Sequence, residues 1–137
     1  MMKKLKKITP YFLFIILVPL FAFSVEPSVN STFEITIDIS PNVLNLNSNG
    51  TVVTVHTDIP YSQVLGSSLY LNGVMISSWK ADNRGYFVAK FNMDDIKSLP
   101  LTIGDYNTLE MVGLTVDYEG FYGVQDILVL NNLPRAK

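Results

Sequence analysis

His56, the one histidine of this chain, is its strongest candidate for a catalytic base. An imidazole that a carboxylate orients and that lies beside a serine hydroxyl can hydrolyse esters and amides. The aspartates and serines considered as its partners are Asp38, Asp58, Ser62 and Ser67. None of these serines lies in a nucleophile motif such as Gly-x-Ser-x-Gly, and alternation with Val53 and Val55 places His56 on the outer face of a strand. We therefore predict no catalytic residue and no enzymatic activity.

The carboxylates do not form a recognisable metal motif. Asp94 and Asp95 are adjacent, so on a helix their side chains point about 100° apart. The stretch Asp82–Gly85 contains oxygen ligands and a glycine but lacks the later ligands of an EF-hand. The acids that lie near predicted strand ends are Asp38, Asp105, Asp117, Glu119 and Asp126. We predict no metal site and no cofactor, and weak calcium binding by these acids remains the alternative.

Aromatic side chains offer a different chemistry, because exposed rings can stack on the faces of sugars. Tyr118 and Tyr122 bracket the tip of the last predicted hairpin, and Trp79 lies at the end of another strand. Trp79, Tyr118 and Tyr122 are therefore the candidate carbohydrate-binding residues. The competing interpretation is that Trp79 and Phe121 cover the open ends of the core, where large rings are common.

The first 24 residues have the three parts of an export signal. Four lysines within Met1–Lys7 precede the uncharged run Tyr11–Phe23, and small residues flank a cleavage position between Ser24 and Val25. The apolar run is shorter than the ~20 residues of a spanning helix. We predict a cleaved signal peptide and an exported protein, located in the periplasm, on the cell surface or outside the cell. The alternative is an uncleaved anchor, which would give the only contact with a membrane.

Composition limits what the exported part can bind. Without the four leader lysines, six basic residues accompany twelve acidic ones, a net charge of −6. Nucleic-acid binding normally needs a basic face, so nucleic acid is excluded as a partner. The chain has no cysteine, so packing alone must stabilise it. Asn30 and Asn49 begin glycosylation triplets in predicted loops.

Strict alternation of apolar and polar residues predicts strands with one buried face. Phe33–Ile39 alternates throughout, Thr51–Thr57 is mostly β-branched, and Asp58–Tyr61 is expected to break the second of these strands. Asn72-Gly73 between apolar runs predicts a two-residue hairpin turn. Asn92 is expected to cap one helical turn that contains Asp94 and Asp95. The inward residues are Ile35, Ile37, Val53, Val55, Leu69, Leu71, Leu109, Met111, Ile127 and Val129.

The last hairpin is expected to join Thr108–Tyr118 to Val124–Leu130, with Gly113 marking a bulge. Short strands at regular spacing without a long helix predict an all-β, antiparallel, immunoglobulin-like β-sandwich of 7–8 strands with one short helical turn. Its main rival is an eight-stranded barrel. The predicted organisation is a signal peptide (1–24), a linker (25–32), the β-sandwich domain (33–131) and a C-terminal tail (132–137).

The order of these elements resembles a family of immunoglobulin-like modules that occur, often repeated, in exported archaeal and bacterial proteins. The opening pattern of that family is matched by Asp38, Ile39, Pro41, Leu44, Leu46, Ser48 and Gly50. Its later elements are matched by Leu71-Asn72-Gly73, Lys90-Phe91, Gly104-Asp105, Leu109, Met111, Gly113, Phe121, Gly123 and Ile127. The resemblance covers about residues 35–130. It implies a spacer, stalk or surface-display role and supplies no active-site residues.

The chain departs from the family around Asp58–Pro60 and Tyr106-Asn107, where the family is more acidic, so cation binding is not carried over.

The predicted function is an exported structural or interaction module without catalytic activity, whose partner is an unknown protein or a surface glycan. One alternative is a carbohydrate-binding module. The other is an adhesion or assembly subunit that binds by strand addition at a free sheet edge.

Overall fold

Residues 31–133 are described by a computed structural model of the chain. The predicted leader, the Ser24–Val25 cleavage position and Asn30 lie outside the described residues, as do residues 134–137. No helix within residues 31–133 is both long enough and apolar enough to cross a membrane.

Within residues 31–133, ten strands form two sheets that pack as a sandwich, which confirms the predicted all-β class. The predicted number of 7–8 strands is too low, because the short strands β1 and β3 each add a separate parallel pairing with β10. The larger sheet has the order β1-β10-β9-β5-β6, and β3 also pairs with β10. Its strands are β1 (Thr32–Glu34), β3 (Val43–Asn45), β5 (Val64–Leu71), β6 (Val74–Met75), β9 (Asp105–Thr115) and β10 (Gly120–Leu130). The smaller sheet has the order β2-β4-β8-β7. Its strands are β2 (Ile37–Ser40), β4 (Val52–Pro60), β7 (Ser78–Ala81) and β8 (Tyr86–Asn92).

The core lies between the two sheets and consists of aliphatic and phenylalanine side chains. All ten residues that alternation predicted as inward are buried. Phe87, Phe91 and Phe121 add the largest buried volumes. Each such side chain contributes roughly 1.5–3 kcal/mol on burial, so packing can stabilise the domain without disulfides.

The predicted continuous strand Phe33–Ile39 is wrong, because the chain changes sheets within it. β1 pairs in parallel with β10 in the larger sheet, whereas β2 pairs antiparallel with β4 in the smaller one. At the crossing, the Ile35 N–H donates to the Tyr122 carbonyl (2.8 Å) and the Thr36 N–H donates to Asp58 Oδ1 (2.9 Å). β1 lies at the open side of the sandwich, so Phe33 is 38% exposed rather than buried. Thr32, assigned to the linker, already belongs to this strand.

The predicted break at Asp58–Tyr61 is also misplaced, because β4 continues to Pro60 and Ile59 is buried. A register shift between His56 and Pro60 accommodates this extension, and Pro60 occupies the last strand position, where its missing N–H is tolerated. A second change of sheet separates β6 from β7. Met75 ends β6 at the edge of the larger sheet, and Ser78 begins β7 at the edge of the smaller one.

The local turn and cap predictions are confirmed. Asn72 and Gly73 have φ values of 45° and 83°, as a two-residue hairpin turn of this type requires. The Asn92 side chain accepts a hydrogen bond from the Asp94 N–H (2.9 Å) at the start of helix α1 (Met93–Lys97). Both strands of the last hairpin begin earlier than predicted, β9 at Asp105 and β10 at Gly120, and β9 ends at Thr115 instead of Tyr118.

Gly113 does lie beside an irregularity, but the extra residues belong to β5. Leu65 pairs with Leu114 and Tyr70 pairs with Val112, so residues 66–69 lie opposite Gly113 alone. The Ser68 hydroxyl fills the interrupted ladder. Its Oγ accepts from the Leu114 N–H (2.8 Å) and donates to the Leu65 carbonyl (2.6 Å).

We expect Ser68→Ala to lower the free energy of unfolding by about 1–3 kcal/mol, because it leaves polar backbone groups of two strands without partners. Ser67→Ala is the matched control, since Ser67 is exposed and adjacent to Ser68 in the same bulge. Urea denaturation of both variants measures the difference. Equal stability of the two variants would contradict a bridging role for the Ser68 hydroxyl.

Candidate functional site

The outer face of the larger sheet carries an unusual number of exposed apolar side chains. β9 and β10 pair in an unbroken antiparallel register. The first pair is Leu114 with Gly120, and the last pair is Asp105 with Val129. Because successive side chains alternate between faces, the residues between the buried positions of these strands point to solvent. In β5, β9 and β10 many of these outward positions hold leucine, valine or tyrosine rather than polar residues.

One row of neighbouring residues crosses five strands of this face. Met75 pairs with Tyr70, Tyr70 with Val112, Val112 with Tyr122, and Tyr122 with Glu34. Tyr70 is 41% and Met75 57% exposed. Strand spacing of about 4.8 Å gives the row a length of roughly 19 Å and separates Tyr70 from Tyr122 by roughly 10 Å.

Residues beside this row extend it into a continuous surface. Leu65 and Leu114 are neighbours on one side, and Val124 lies on the other side, two residues beyond Tyr122 in β10. We call this surface the apolar face. It comprises the exposed Tyr70, Met75, Val112 and Val124 and the half-buried Leu65, Leu114 and Tyr122.

Acidic residues border the apolar face. Glu34 ends the row, Glu110 is paired with Val124, and Asp126 follows Val124 at the next outward position of β10. The strands of the larger sheet contain these acids and Asp105 but no lysine, arginine or histidine. The described lysines and arginine all belong to other parts of the fold: Lys80 in β7, Arg84 in the turn after it, Lys90 in β8 and Lys97 in α1.

The outer face of the smaller sheet has the opposite character. Most of its outward positions are polar, among them Asp38, Thr54, His56, Lys80 and Lys90, and His56 is exposed as predicted. The apolar residues in the same phase, Val52 and Val88, are not neighbours. A solvated polar face of this kind is the ordinary outer surface of an antiparallel sheet. The two outer faces of the sandwich therefore differ, and only the larger sheet presents a contiguous apolar surface.

A shallow cleft of about 380 Å³ opens on the smaller sheet beside His56. Its lining includes His56, Asp38 (its cross-strand neighbour), Asp58 and Arg84. No serine lines it, so neither Ser62 nor Ser67, the serines weighed as partners of His56, belongs to this cleft. Asp58 is already engaged, since its carboxylate accepts the Thr36 N–H. Within residues 31–133, no group of at least 3 His, Cys, Asp or Glu side chains is arranged to hold a metal ion.

Among the described carboxyl groups, that of Asp82, in the turn beside this cleft, has a shifted pKa. Hydrogen bonds from the backbone N–H of Tyr86 (2.9 Å), and then of Arg84 (2.8 Å), hold the pKa of the Asp82 carboxyl below its ordinary value of 3.8. The nearby Arg84 guanidinium, 3.9 Å from Asp82 Oδ2, acts in the same direction. Asp82 therefore organises a turn rather than a ligand site.

This shift predicts a pH dependence. Because the folded pKa of Asp82 is lowered, its stabilising effect is fully present above pH 3.8 and is lost as the pH falls through the lower folded value. The stability difference between the wild type and Asp82→Ala should be constant at neutral pH and shrink in acid. Denaturation at a series of pH values measures it, and a difference that grows in acid would contradict the shift.

The three predicted sugar-binding aromatics do not share one surface. Trp79 faces the interior side of edge strand β7, where its register partner is Ala89, and it is 41% exposed. Its indole lies against Gly66 of β5, because a Cβ at Gly66 would be 2.3 Å from Trp79 Cε2. Trp79 thus covers the open side of the core, as the competing interpretation predicted. It lies against the inner side of the larger sheet, whereas Tyr122 lies on its outer side.

Tyr118 belongs to the turn between β9 and β10, where it has a positive φ of 63° and is 65% exposed. Tyr122 is part of the apolar face, with Glu34 and Val112 as its neighbours. Phe121, between them, is buried.

Asp94 and Asp95 occupy the first turn of α1, as predicted, and Asn49 is exposed in the loop before β4.

The sequence interpretation missed Tyr70, Val112 and Val124 as surface candidates. A signal was present, because Leu109–Thr115 and Phe121–Leu130 have apolar residues in both phases of the strand, not in one. Such a strand is covered on both faces or exposes an apolar face. Met75 and Ile76 show the same pattern for a different reason, because the chain changes sheets after β6.

No protein-family model, no curated protein and no solved structure matches this chain.

Proposed function

We propose that this protein is an exported, immunoglobulin-like interaction module that binds a protein partner through the apolar face. The leader pattern of residues 1–24 supports export. The strand orders support the immunoglobulin-like assignment, since β2-β4-β8-β7 corresponds to strands A-B-E-D and β10-β9-β5 to strands G-F-C of that fold. The short strands β1 and β3, both parallel to β10, correspond to a first strand shared between the sheets.

One observation carries the proposed binding role, namely the contrast between the two outer faces. Contiguous exposed apolar patches are uncommon on monomeric soluble proteins and mark interaction sites when polar residues surround them. The apolar face meets this description, with Tyr70, Val112 and Tyr122 in a row at its centre and Glu34 and Glu110 at its border. Aromatic side chains at such centres contribute disproportionately to binding.

The sheet edges favour a face over an edge as the binding surface. The edge strands of the larger sheet, β1, β3 and β6, span residues 32–34, 43–45 and 74–75 only. Those of the smaller sheet, β2 and β7, span residues 37–40 and 78–81. Very short edge strands are a common means of preventing pairing with other chains. Strand addition is therefore the less supported of the two protein-binding modes.

A photo-reactive amino acid placed at Val112 or Thr54 tests this role in cells that produce the protein. Val112 lies in the apolar face, and Thr54 lies at an outward position of the smaller sheet. We expect a cross-linked product of defined mass from position 112, absent from position 54 and lost when Tyr70→Asp is added. Equal cross-linking from both positions would refute the proposed surface.

Carbohydrate binding is a second candidate, and the roughly 10 Å spacing of Tyr70 and Tyr122 on one flat row favours it. Two rings at this separation could stack on successive sugars of an extended chain. Titration calorimetry with soluble plant and bacterial oligosaccharides tests it. Sugar binding by this face predicts a loss of affinity in Tyr70→Ala and Tyr122→Ala but not in Trp79→Ala. The opposite ranking would place the sugar-binding site at Trp79 instead.

A further inference from the structure

We propose that the partner of the apolar face is a cationic amphipathic protein segment, one whose apolar side chains alternate or interleave with lysine or arginine. This inference rests on the proposed function, because it concerns the occupant of the same surface. It follows from where the charges of the described residues lie.

The charged residues at the border of the apolar face are all acidic. Glu34 ends the central row, and Glu110 is next to both Val112 in its own strand and Val124 in the neighbouring one. Asp126 lies beyond Val124, where it accepts a hydrogen bond from the Thr108 hydroxyl. A segment that covers the central row thus passes within side-chain reach of several carboxylates and of no cationic group belonging to the larger sheet.

These carboxylates have no cationic partner within residues 31–133. The ion pair found in that range joins Arg84 to Asp82, in the turn between β7 and β8. Glu34, Glu110 and Asp126 are therefore available to pair with a ligand. Opposite charges at the rim of an interface steer association and select the partner more than they add affinity.

A second copy of the chain is a poor occupant for the same reason. A symmetric dimer brings the same patch of each protomer together, so the acidic borders of the two copies would approach each other. Like charges that face one another across an interface cost binding free energy. The lysines that could complement them, Lys80 and Lys90, lie on the other sheet.

The size of the row suits a short segment. Its length of roughly 19 Å corresponds to about six residues of extended chain. Apolar side chains of such a segment would lie over Tyr70, Val112 and Tyr122, and its basic side chains would reach Glu110 and Glu34. Both contributions are needed, because exposed ion pairs alone contribute about 0–1 kcal/mol each.

The probes for the test are two fluorescein-labelled peptides, one alternating leucine with lysine and one alternating leucine with glutamate. Fluorescence anisotropy with the folded protein measures both affinities. We expect the lysine peptide to bind at least about tenfold more tightly. The double variant Glu110→Lys/Asp126→Lys should lose this preference, whereas Asp38→Lys, on the outer face of the smaller sheet, should retain it. Added salt should weaken binding of the lysine peptide, since rim charges are screened.

The outcomes separate the two proposals. Loss of binding in Tyr70→Asp together with an unchanged peptide preference in the charge variant would overturn the cationic partner but leave the apolar face as a docking site. Binding that Tyr70→Asp does not affect would overturn both. A dimer in sedimentation that Val112→Asp dissociates would replace the cationic segment with a second copy. Thermal melts identify any variant that fails to fold, and Glu110→Gln then serves as the milder substitution.

Discussion

Phe121→Ala is expected to lower the free energy of unfolding by about 3–5 kcal/mol. The Phe121 ring is 1% exposed and lies between the two sheets. Its Cζ approaches the position that a Cβ of Gly113 would occupy (2.8 Å), and its ring centroid is 6.0 Å from that of Phe33. Truncation would leave a cavity that the rigid strands β9 and β10 cannot close.

Tyr122→Ala is the matched control, because Tyr122 is the next residue in the same strand and points to the opposite face. It should cost about 0.5 kcal/mol or less in stability and should weaken binding to the apolar face. Guanidinium denaturation followed by tryptophan fluorescence, with Trp79 as the reporter, measures both variants. If Tyr122→Ala were the more destabilising of the two, the assignment of inner and outer positions in β10 would be wrong.

Gly123→Val is expected to destabilise the protein by about 1–3 kcal/mol or more, because the new side chain would overpack a crowded position. A Cβ at Gly123 would lie 2.6 Å from Ile37 Cγ2 and 3.1 Å from the Ile35 carbonyl oxygen. Ile35 and Ile37 flank the point where the chain passes from one sheet to the other. The glycine therefore allows the crossing segment to lie directly against β10.

Val124→Ala provides the comparison, since Val124 is adjacent and exposed. It should change the unfolding midpoint little, whereas Gly123→Val should lower it clearly. Amide hydrogen exchange adds a specific readout, because the Ile35 N–H donates to the Tyr122 carbonyl (2.8 Å). Protection of that amide should be lost in Gly123→Val. A variant as stable as the wild type would show that the crossing segment can move away from β10 without cost.

Features encoded by a few adjacent residues were predictable from the sequence. The Asn72-Gly73 turn, the Asn92 cap and the inward phase of Leu109 and Met111 each depend on local backbone preferences or on the period of a single strand. The structure confirms all of them.

Features that depend on pairing between distant strands were not predictable. The alternation of Phe33–Ile39 continues through the change of sheet, because Ile35 and Ile37 stay buried on either side of the crossing. A period of two cannot distinguish one long strand from two short ones in this situation. Hydrogen bonds to distant residues, such as that from the Thr36 N–H to Asp58 Oδ1, supply the missing information.

The candidate site was only partly predictable for the same reason. Tyr122 was identified as an exposed ring, but its neighbours depend on the bulge at residues 66–69, which aligns Tyr70 with Val112. Trp79 was grouped with Tyr122 because both are aromatic. The contact that separates them is with Gly66, whose lack of a side chain makes room for the indole.

The parallel pairing of β1 with β10 has a mechanical consequence. β1 begins at Thr32, which pairs with Gly120, the first residue of β10. β10 ends at Leu130, so the chain continues from the opposite end of this strand pair. Tension applied between the two chain ends would pull β1 and β10 in opposite directions along their axes. The hydrogen bonds of that ladder would then share the load together instead of opening one after another.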